Sequence, residues 1–249
     1  MLIVCSGMPR SGSTLQFNIA WKSAEIGNVG HKVEWRSSDA WAKADDELLR
    51  MARSLDVEVV KMHFPPQSVR ALSEAGENIK FIYVHRDIFD VIYSMKATFN
   101  FSLSHAVRRV NESLSNEQWL LRRDSDVVLI QDYKSLRYQL ASSIGAIAGF
   151  MGVELFGEDI AALERELCID TAYQRSRKQC PKLEHFRRRA TRVLGLRPKF
   201  ADSELMLHPN HVSEHRGEVG VGRRMLSESE IAVIESTFGQ RASGIMSFK

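Results

Sequence analysis

The sequence predicts an α/β fold of three layers, with a central parallel β-sheet between helices. Three observations predict it. Short aliphatic and β-branched runs recur along the chain, separated by stretches of helical periodicity. No hairpin turn joins one run to the next, so the strands must be linked by crossovers and lie parallel. The first run opens directly into a glycine-bracketed turn, Gly7-Met8-Pro9-Arg10-Ser11-Gly12-Ser13-Thr14. In such a sheet, ligands collect at the carboxyl ends of the strands.

Each element has its own signal. Leu2 to Ser6 reads as a buried strand, and Thr14 to Glu25 as the helix after the loop. Val57 to Met62 is a second strand, stopped by Pro65-Pro66, which no central strand accommodates. Ile79 to Val84 is a third, opening into a helix from Ile88 to Lys96. Val127 to Ile130 is a fourth, followed by a helical stretch from Leu136 to Met151. Helical patterns also cover Ser104 to Arg123, Asp159 to Cys168 and Ser227 to Phe238. The last is opened by a Ser227-x-x-Glu230 capping box.

The 249 residues suit a single α/β domain, 1–249, with a basic lid or acceptor-side segment around 170–215. Between Arg175 and Lys199, ten basic residues face one acid, Glu184. Such a run is either a solvated face or an electropositive lid over an anion. The net charge of +3 suits an anionic ligand and does not point to nucleic acid. No long apolar run or signal peptide is evident, so no membrane association and a cytoplasmic location are expected. Cys5, Cys168 and Cys180 lie far apart without metal or disulfide spacing, and His31, His105, His185 and His208 have no partner spacing for a metal.

The turn carries the chemistry. Backbone N–H groups of a glycine-rich loop converge on an anion, and the following helix N-terminus adds a favourable dipole. The spacing is that of a phosphate-binding P-loop, yet Ser13 stands where a lysine reaches the terminal phosphates in nucleoside-triphosphate enzymes. The reactive group of the ligand is then not a terminal phosphate, and Arg10 is the replacement charge. His63 precedes a Phe-Pro-Pro turn, with Lys61 two residues earlier on the same side of an extended segment. An imidazole there either caps a strand or acts as a base. Arg86 and Ser94, eight residues apart, can approach one anion, since Ser94 lies about two helical turns beyond the strand end.

Five segments in this order resemble the sulfotransferases that use 3′-phosphoadenosine 5′-phosphosulfate (PAPS): Arg10 to Thr14, Lys61 to Pro65, Arg86 to Ser94, Tyr133 to Leu136, and His215 to Gly220. The resemblance implies a P-loop NTPase-like sulfotransferase fold and direct in-line transfer to a hydroxyl or amine of a small-molecule acceptor, with no metal required. It implies that Arg10, Ser11, Gly12, Ser13 and Thr14 hold the 5′-phosphosulfate, that Arg86, Ser94, Arg216 and Gly217 hold the 3′-phosphate, and that Tyr133 meets the adenine. His63 is then the general base, Lys61 offsets charge on the sulfuryl group, and Arg10 stabilises the departing phosphate oxygen. 3′-Phosphoadenosine 5′-phosphate (PAP) is the product. The chain departs from the family in three places. Arg10 replaces lysine, the lysine expected between Arg216 and Gly217 is absent, and Leu15 replaces a tryptophan that stacks on adenine. Trp35, Trp41 and Phe200 are candidates for that stacking role.

Two other classes compete: a P-loop kinase for small molecules, and a non-catalytic PAPS- or PAP-binding module. The missing loop lysine opposes the first, and His63 with Lys61 opposes the second. The acceptor pocket is expected from segments 29–53, 98–110 and 168–209, with Trp35, Trp41, Phe99 and Phe101 as possible walls. Oligomeric state is left open by the sequence.

Overall fold

A computed structural model describes residues 1–33, 36, 38–178, 202, 204–207, 212–239 and 241. Its centre is a five-stranded, all-parallel sheet in the order β2-β3-β1-β4-β5, formed by β1 (Leu2–Gly7), β2 (Gly30–Lys32), β3 (Val57–Lys61), β4 (Ile79–His85) and β5 (Val128–Asp132). Every residue of β1 and β3 is buried, which is why these strands read as unbroken apolar runs rather than alternating ones. The predicted end of the second strand at Met62 survives as one further ladder bond, Met62 N–H to the Cys5 carbonyl at 3.0 Å.

The fifth strand, β2, was not expected, since Gly30-His31-Lys32 has no β-branched character. Glycine is needed there: a Cβ at Gly30 would stand 2.0 Å from the Val57 carbonyl oxygen. Chain order moves from β1 out to β2, back through β3, then across to β4 and β5. The reversal places a crevice beyond the carboxyl end of β1.

One face of the sheet is covered by α1 (Ser13–Ile26), and later by α7 (Tyr133–Tyr138), α8 (Leu140–Met151) and α9 (Gly157–Leu167). Phe17, Ile19, Ile144, Ile147 and Leu163 form its core with Ile3, Ile82 and Val84. The helix expected from Leu136 to Met151 is broken at Gln139, whose non-helical φ of −131° and ψ of 48° end α7 and restart the chain as α8. The other face packs Leu48, Met51 and Trp41 against Leu2, Val4, Phe81 and Tyr83. These come from α2 (Ser38–Trp41) and α3 (Asp45–Ala52), two short helices that the sequence pattern did not announce; α4 (Gln67–Glu74) adds Val69.

A third apolar cluster joins α5 (Ile88–Phe99), α6 (Leu103–Leu120) and α12 (Glu228–Phe238) around Phe89, Ile92, Val110, Leu114 and Ile234. The Ser227 box forms in both directions: Glu230 N–H donates to Ser227 Oγ at 3.3 Å, and Ser227 N–H to Glu230 Oε2 at 3.1 Å. Between these lie α10 (Ile169–Lys178) and α11 (Val221–Met225). Within the basic run, Arg175 pairs with Glu166 and Asp202, while 179–201 lie outside the described residues. No helix among the described residues is long and apolar enough to cross a membrane.

Candidate active site

The loop between β1 and α1 is held by its own backbone. Ser11 folds back, with its N–H and Oγ both donating to the Met8 carbonyl, at 3.1 and 2.7 Å. Arg10 has φ of 69° and Gly12 of 91°, both in the left-handed region that favours glycine. A non-glycine residue held there costs free energy and is a mark of functional loops. The conformation leaves the N-terminus of α1 with no side-chain cap, so its N–H groups are available to an anion.

Two clusters of side chains flank this loop. On one side, Lys61 at the end of β3 donates to Thr14 Oγ1, and His63 Nδ1 lies 3.1 Å from the Gly7 carbonyl oxygen. A carbonyl only accepts, so Nδ1 must carry the proton, and Nε2 is the basic nitrogen. Burial, with the nearby Lys61 charge, pushes the imidazole down to about 4, the Gly7 bond opposing that shift. Burial likewise lowers Lys61 to about 8, with Arg10 adding to the effect. The imidazole is therefore neutral at pH 7, and the charges acting on it, from Lys61, Arg109 and Arg10, are cationic.

On the other side, Arg10 Nε donates to Ser94 Oγ at 3.0 Å, and Arg86 Nη1 to the Arg10 carbonyl at 3.2 Å. The loop and the Arg86–Ser94 pair are thus one hydrogen-bonded unit. Burial lowers Arg10 to about 10, helped by the adjacent Arg86. The Arg86 guanidinium lies 4.1 Å over the Tyr133 ring, while its buried Nε has no hydrogen-bond partner among the described residues. Tyr133 in turn donates from Oη to the Gly217 carbonyl at 2.9 Å. A Cβ at Gly12 would meet the Tyr133 ring at 2.9 Å, and one at Gly217 would lie 2.0 Å from its hydroxyl. Both glycines are required for the ring to lie between them.

These groups line a cavity of about 300 Å³. Its polar lining includes Arg10, Gly12, Thr14, Arg86, Ser94 and Gly217, and its apolar lining Leu15, Leu136, Leu140, Leu167 and Ile169. Leu15 therefore lines the cavity with an aliphatic side chain. Trp41 does not reach it, being buried in the core on the opposite sheet face. Trp35 and Phe200 lie outside the described residues. Tyr138, on the cavity wall and half exposed, is an aromatic that sequence reasoning missed, as no spacing marked it. Arg216 is directed to the rim, ion-paired with Asp170 at 2.7 Å and 4.8 Å over Tyr173. Phe99 lies 5.6 Å beneath Arg10 and packs on Phe101, and Phe64 beside His63 carries Arg109 over its ring at 4.4 Å.

Asp90 is an acid in the first turn of α5, where the helix dipole favours it. The structure gives it more. Its buried carboxylate accepts from Gly222 N–H at 2.7 Å and from Gly220 N–H at 3.0 Å, with Arg86 Nη2 at 3.4 Å. It ties the C-terminal segment to Arg86, and the only sequence hint was an acid four residues after an arginine. Among the described residues no group of acids, histidines and cysteines is arranged to hold a metal ion.

No protein-family model and no curated protein sequence matches the chain. Its backbone does match solved structures. Mouse sulfotransferase SULT7A1 complexed with PAP superposes with a TM-score of 0.63 at 12% identity, over 96% of this chain and 82% of that one. Retinol dehydratase with androsterone and the inactive cofactor PAP gives 0.59 at 14% identity, over 100% of this chain and 82% of that one. Retinol dehydratase with retinol and PAP gives 0.57 at 15% identity over the same shares. At these identities the likeness speaks for architecture. With its five-stranded parallel sheet, helices on both faces and a glycine loop at the strand-order reversal, the chain has the sulfotransferase fold.

Proposed function

We propose that this protein is a PAPS-dependent sulfotransferase that acts in the cytoplasm on a hydroxyl of a small-molecule acceptor. The observation that carries this reading is the division of the loop's surroundings. A neutral histidine with a defined basic nitrogen and a buried lysine stand on one side; a paired Arg10–Ser94–Arg86 unit stands on the other. The residues fit a nucleotide with two separate phosphates. Among the described residues Arg86 Nε is buried without a hydrogen-bond partner, and the uncapped N-terminus of α1 leaves N–H groups for an anion. Arg10 to Thr14 would hold the phosphosulfate end and Arg86 with Ser94 the other phosphate. Tyr133, Tyr138 and Leu15 would contact the base. The neighbours crystallised with PAP support the same ligand class.

The bound donor supplies the sulfuryl group and a stable leaving phosphate. His63 Nε2 takes the proton of the acceptor hydroxyl as the new oxygen–sulfur bond forms, with Nδ1 held by Gly7 throughout. Lys61 offsets negative charge on the transferring group, and Arg10 does so on the departing oxygen. An anion in the loop raises the proton affinity of both His63 and Lys61, reversing part of what burial removes.

The test is turnover with labelled PAPS across a library of alcohols, phenols and amines, alongside calorimetry with PAP and ATP. In His63→Gln, turnover should fall ~10²- to 10⁴-fold while PAP affinity is kept. Mg²⁺-dependent transfer from ATP, with no response to PAP, would overturn the assignment in favour of a kinase. Tight PAP binding with no transfer to any acceptor would favour a binding module.

A further inference from the structure

Arg86 and Ser94 face two cavities, not one. Besides the 300 Å³ space already described, they line a second of about 500 Å³, shared with Tyr93, Ser213 and His215. The acids around this second space are largely engaged elsewhere. Asp90 accepts from Gly220 and Gly222, and Glu218 is paired with Arg224 at 2.6 Å, leaving Glu214 as the remaining carboxylate on the wall.

The turn that carries His215 and Arg216 separates their side chains. It is closed by Arg216 N–H to the Ser213 carbonyl and Glu218 N–H to the His215 carbonyl, both at 2.9 Å. Arg216 and Gly217 both have positive φ, 45° and 69°. Arg216 is sent to Asp170 and Tyr173, whereas His215 lies against α5, its Nε2 3.4 Å from Tyr93 Oη. Tyr93, His215, Arg86 and Ser94 all line this second cavity, so the imidazole and the Arg86–Ser94 pair open onto the same space. In the tautomer whose Nε2 accepts from the Tyr93 hydroxyl, Nδ1 carries a proton that can be offered to a phosphate oxygen.

We infer that His215, rather than Arg216, is the side chain by which the C-terminal turn grips the second phosphate of a nucleoside bisphosphate, as the third member of a site with Arg86 and Ser94. This rests on the nucleotide reading proposed above and names a residue for it. A donor of this kind discriminates between nucleotides with and without that phosphate and leaves the rest of the ligand untouched.

The experiment is calorimetric titration of the full chain with PAP and with adenosine 5′-monophosphate, in wild type, His215→Ala, His215→Arg and Arg216→Ala. His215 is exposed, so its replacement leaves the core intact. Wild type should prefer PAP. His215→Ala should cut that preference ~5- to 10-fold through PAP affinity alone, the size expected for one exposed hydrogen bond to a charged group. His215→Arg should retain it. A preference unchanged in His215→Ala, or lost in Arg216→Ala while surviving in His215→Ala, overturns the assignment of His215 and leaves the bisphosphate reading standing. A wild type with no preference for PAP overturns both.

Discussion

Replacing Asp90 by asparagine should loosen the C-terminal segment and the nucleotide site together. The carboxylate makes three contacts: Oδ1 with Gly222 N–H at 2.7 Å, and Oδ2 with Gly220 N–H at 3.0 Å and Arg86 Nη2 at 3.4 Å. An amide keeps one acceptor, so one edge of the group must present N–H to N–H. If the amide oxygen stays on Gly222, then Gly220 loses its partner and Arg86 Nη2 keeps only the Glu218 carbonyl, at 3.1 Å. Hydrogen bonds to a charged group contribute ~1.5–3 kcal/mol, and the Arg86 contact is long, so the loss should total about 2–4 kcal/mol. Gly222 packs so closely on α5 that a Cβ would stand 2.2 Å from the Phe89 carbonyl carbon. Little slack remains for the segment to re-dock. Urea unfolding should show a lower midpoint at unchanged slope, and PAP affinity should fall as Arg86 loses its brace. A stability change under about 1 kcal/mol would refute the view that this carboxylate ties the two segments together.

Gly217→Ala meets the Tyr133 hydroxyl at 2.0 Å on a left-handed backbone, whereas Gly76→Ala has the same sign of φ and open space. Thermal melts should show the first costing more than the ~1–2 kcal/mol of backbone strain that the second incurs, with PAP affinity reduced only in the first. Glu117 is buried with neither carboxylate oxygen hydrogen-bonded, and burial raises it to about 7, partly opposed by Arg241. Its folded form therefore holds a proton that the unfolded chain, near ~4.3, releases; stability present at low pH is lost as pH rises through about 7. Glu117→Gln should gain up to ~3 kcal/mol at pH 9 and little at pH 5 in denaturant titrations, and an equal effect at both pH values would refute the burial argument. Lys61, lowered to about 8 mainly by burial, should regain its proton when a polyanion binds. Calorimetry at pH 8.5 in buffers of differing ionisation heat should then show proton uptake on PAP binding. Lys61→Arg should abolish that uptake, and none in the wild type would contradict the proposed placement of the anion.

The sheet was legible because its strands are buried on both faces, so Leu2-Ile3-Val4-Cys5 and Val57-Glu58-Val59-Val60 stand out as continuous runs. Strand β2 was not, because three residues beginning with glycine carry no periodic signal and are specified by close approach to Val57. The break at Gln139 was invisible for a similar reason, since helical periodicity runs through both sides of a single non-helical residue. Within the site, the spacing of Lys61, His63, Arg86 and Ser94 named residues that fold to two sides of the loop. The direction of a side chain from a tight turn was beyond such spacing. Two successive positive φ values turn Arg216 outward and leave His215 beside Tyr93. Nor did hydrophobicity distinguish Trp41, a core residue, from a stacking platform.

Tyr133 lies between the first loop and a turn more than eighty residues beyond it, touching Gly12 on one side and holding the Gly217 carbonyl on the other. Neither partner can shift without displacing the ring. Whatever seats itself in the loop is therefore felt at the C-terminal turn, and on the nucleotide reading proposed above the two ends of the ligand are coupled through this ring. A phenylalanine at this position would keep the wedge but cut the tether, separating escape at one end of the ligand from escape at the other.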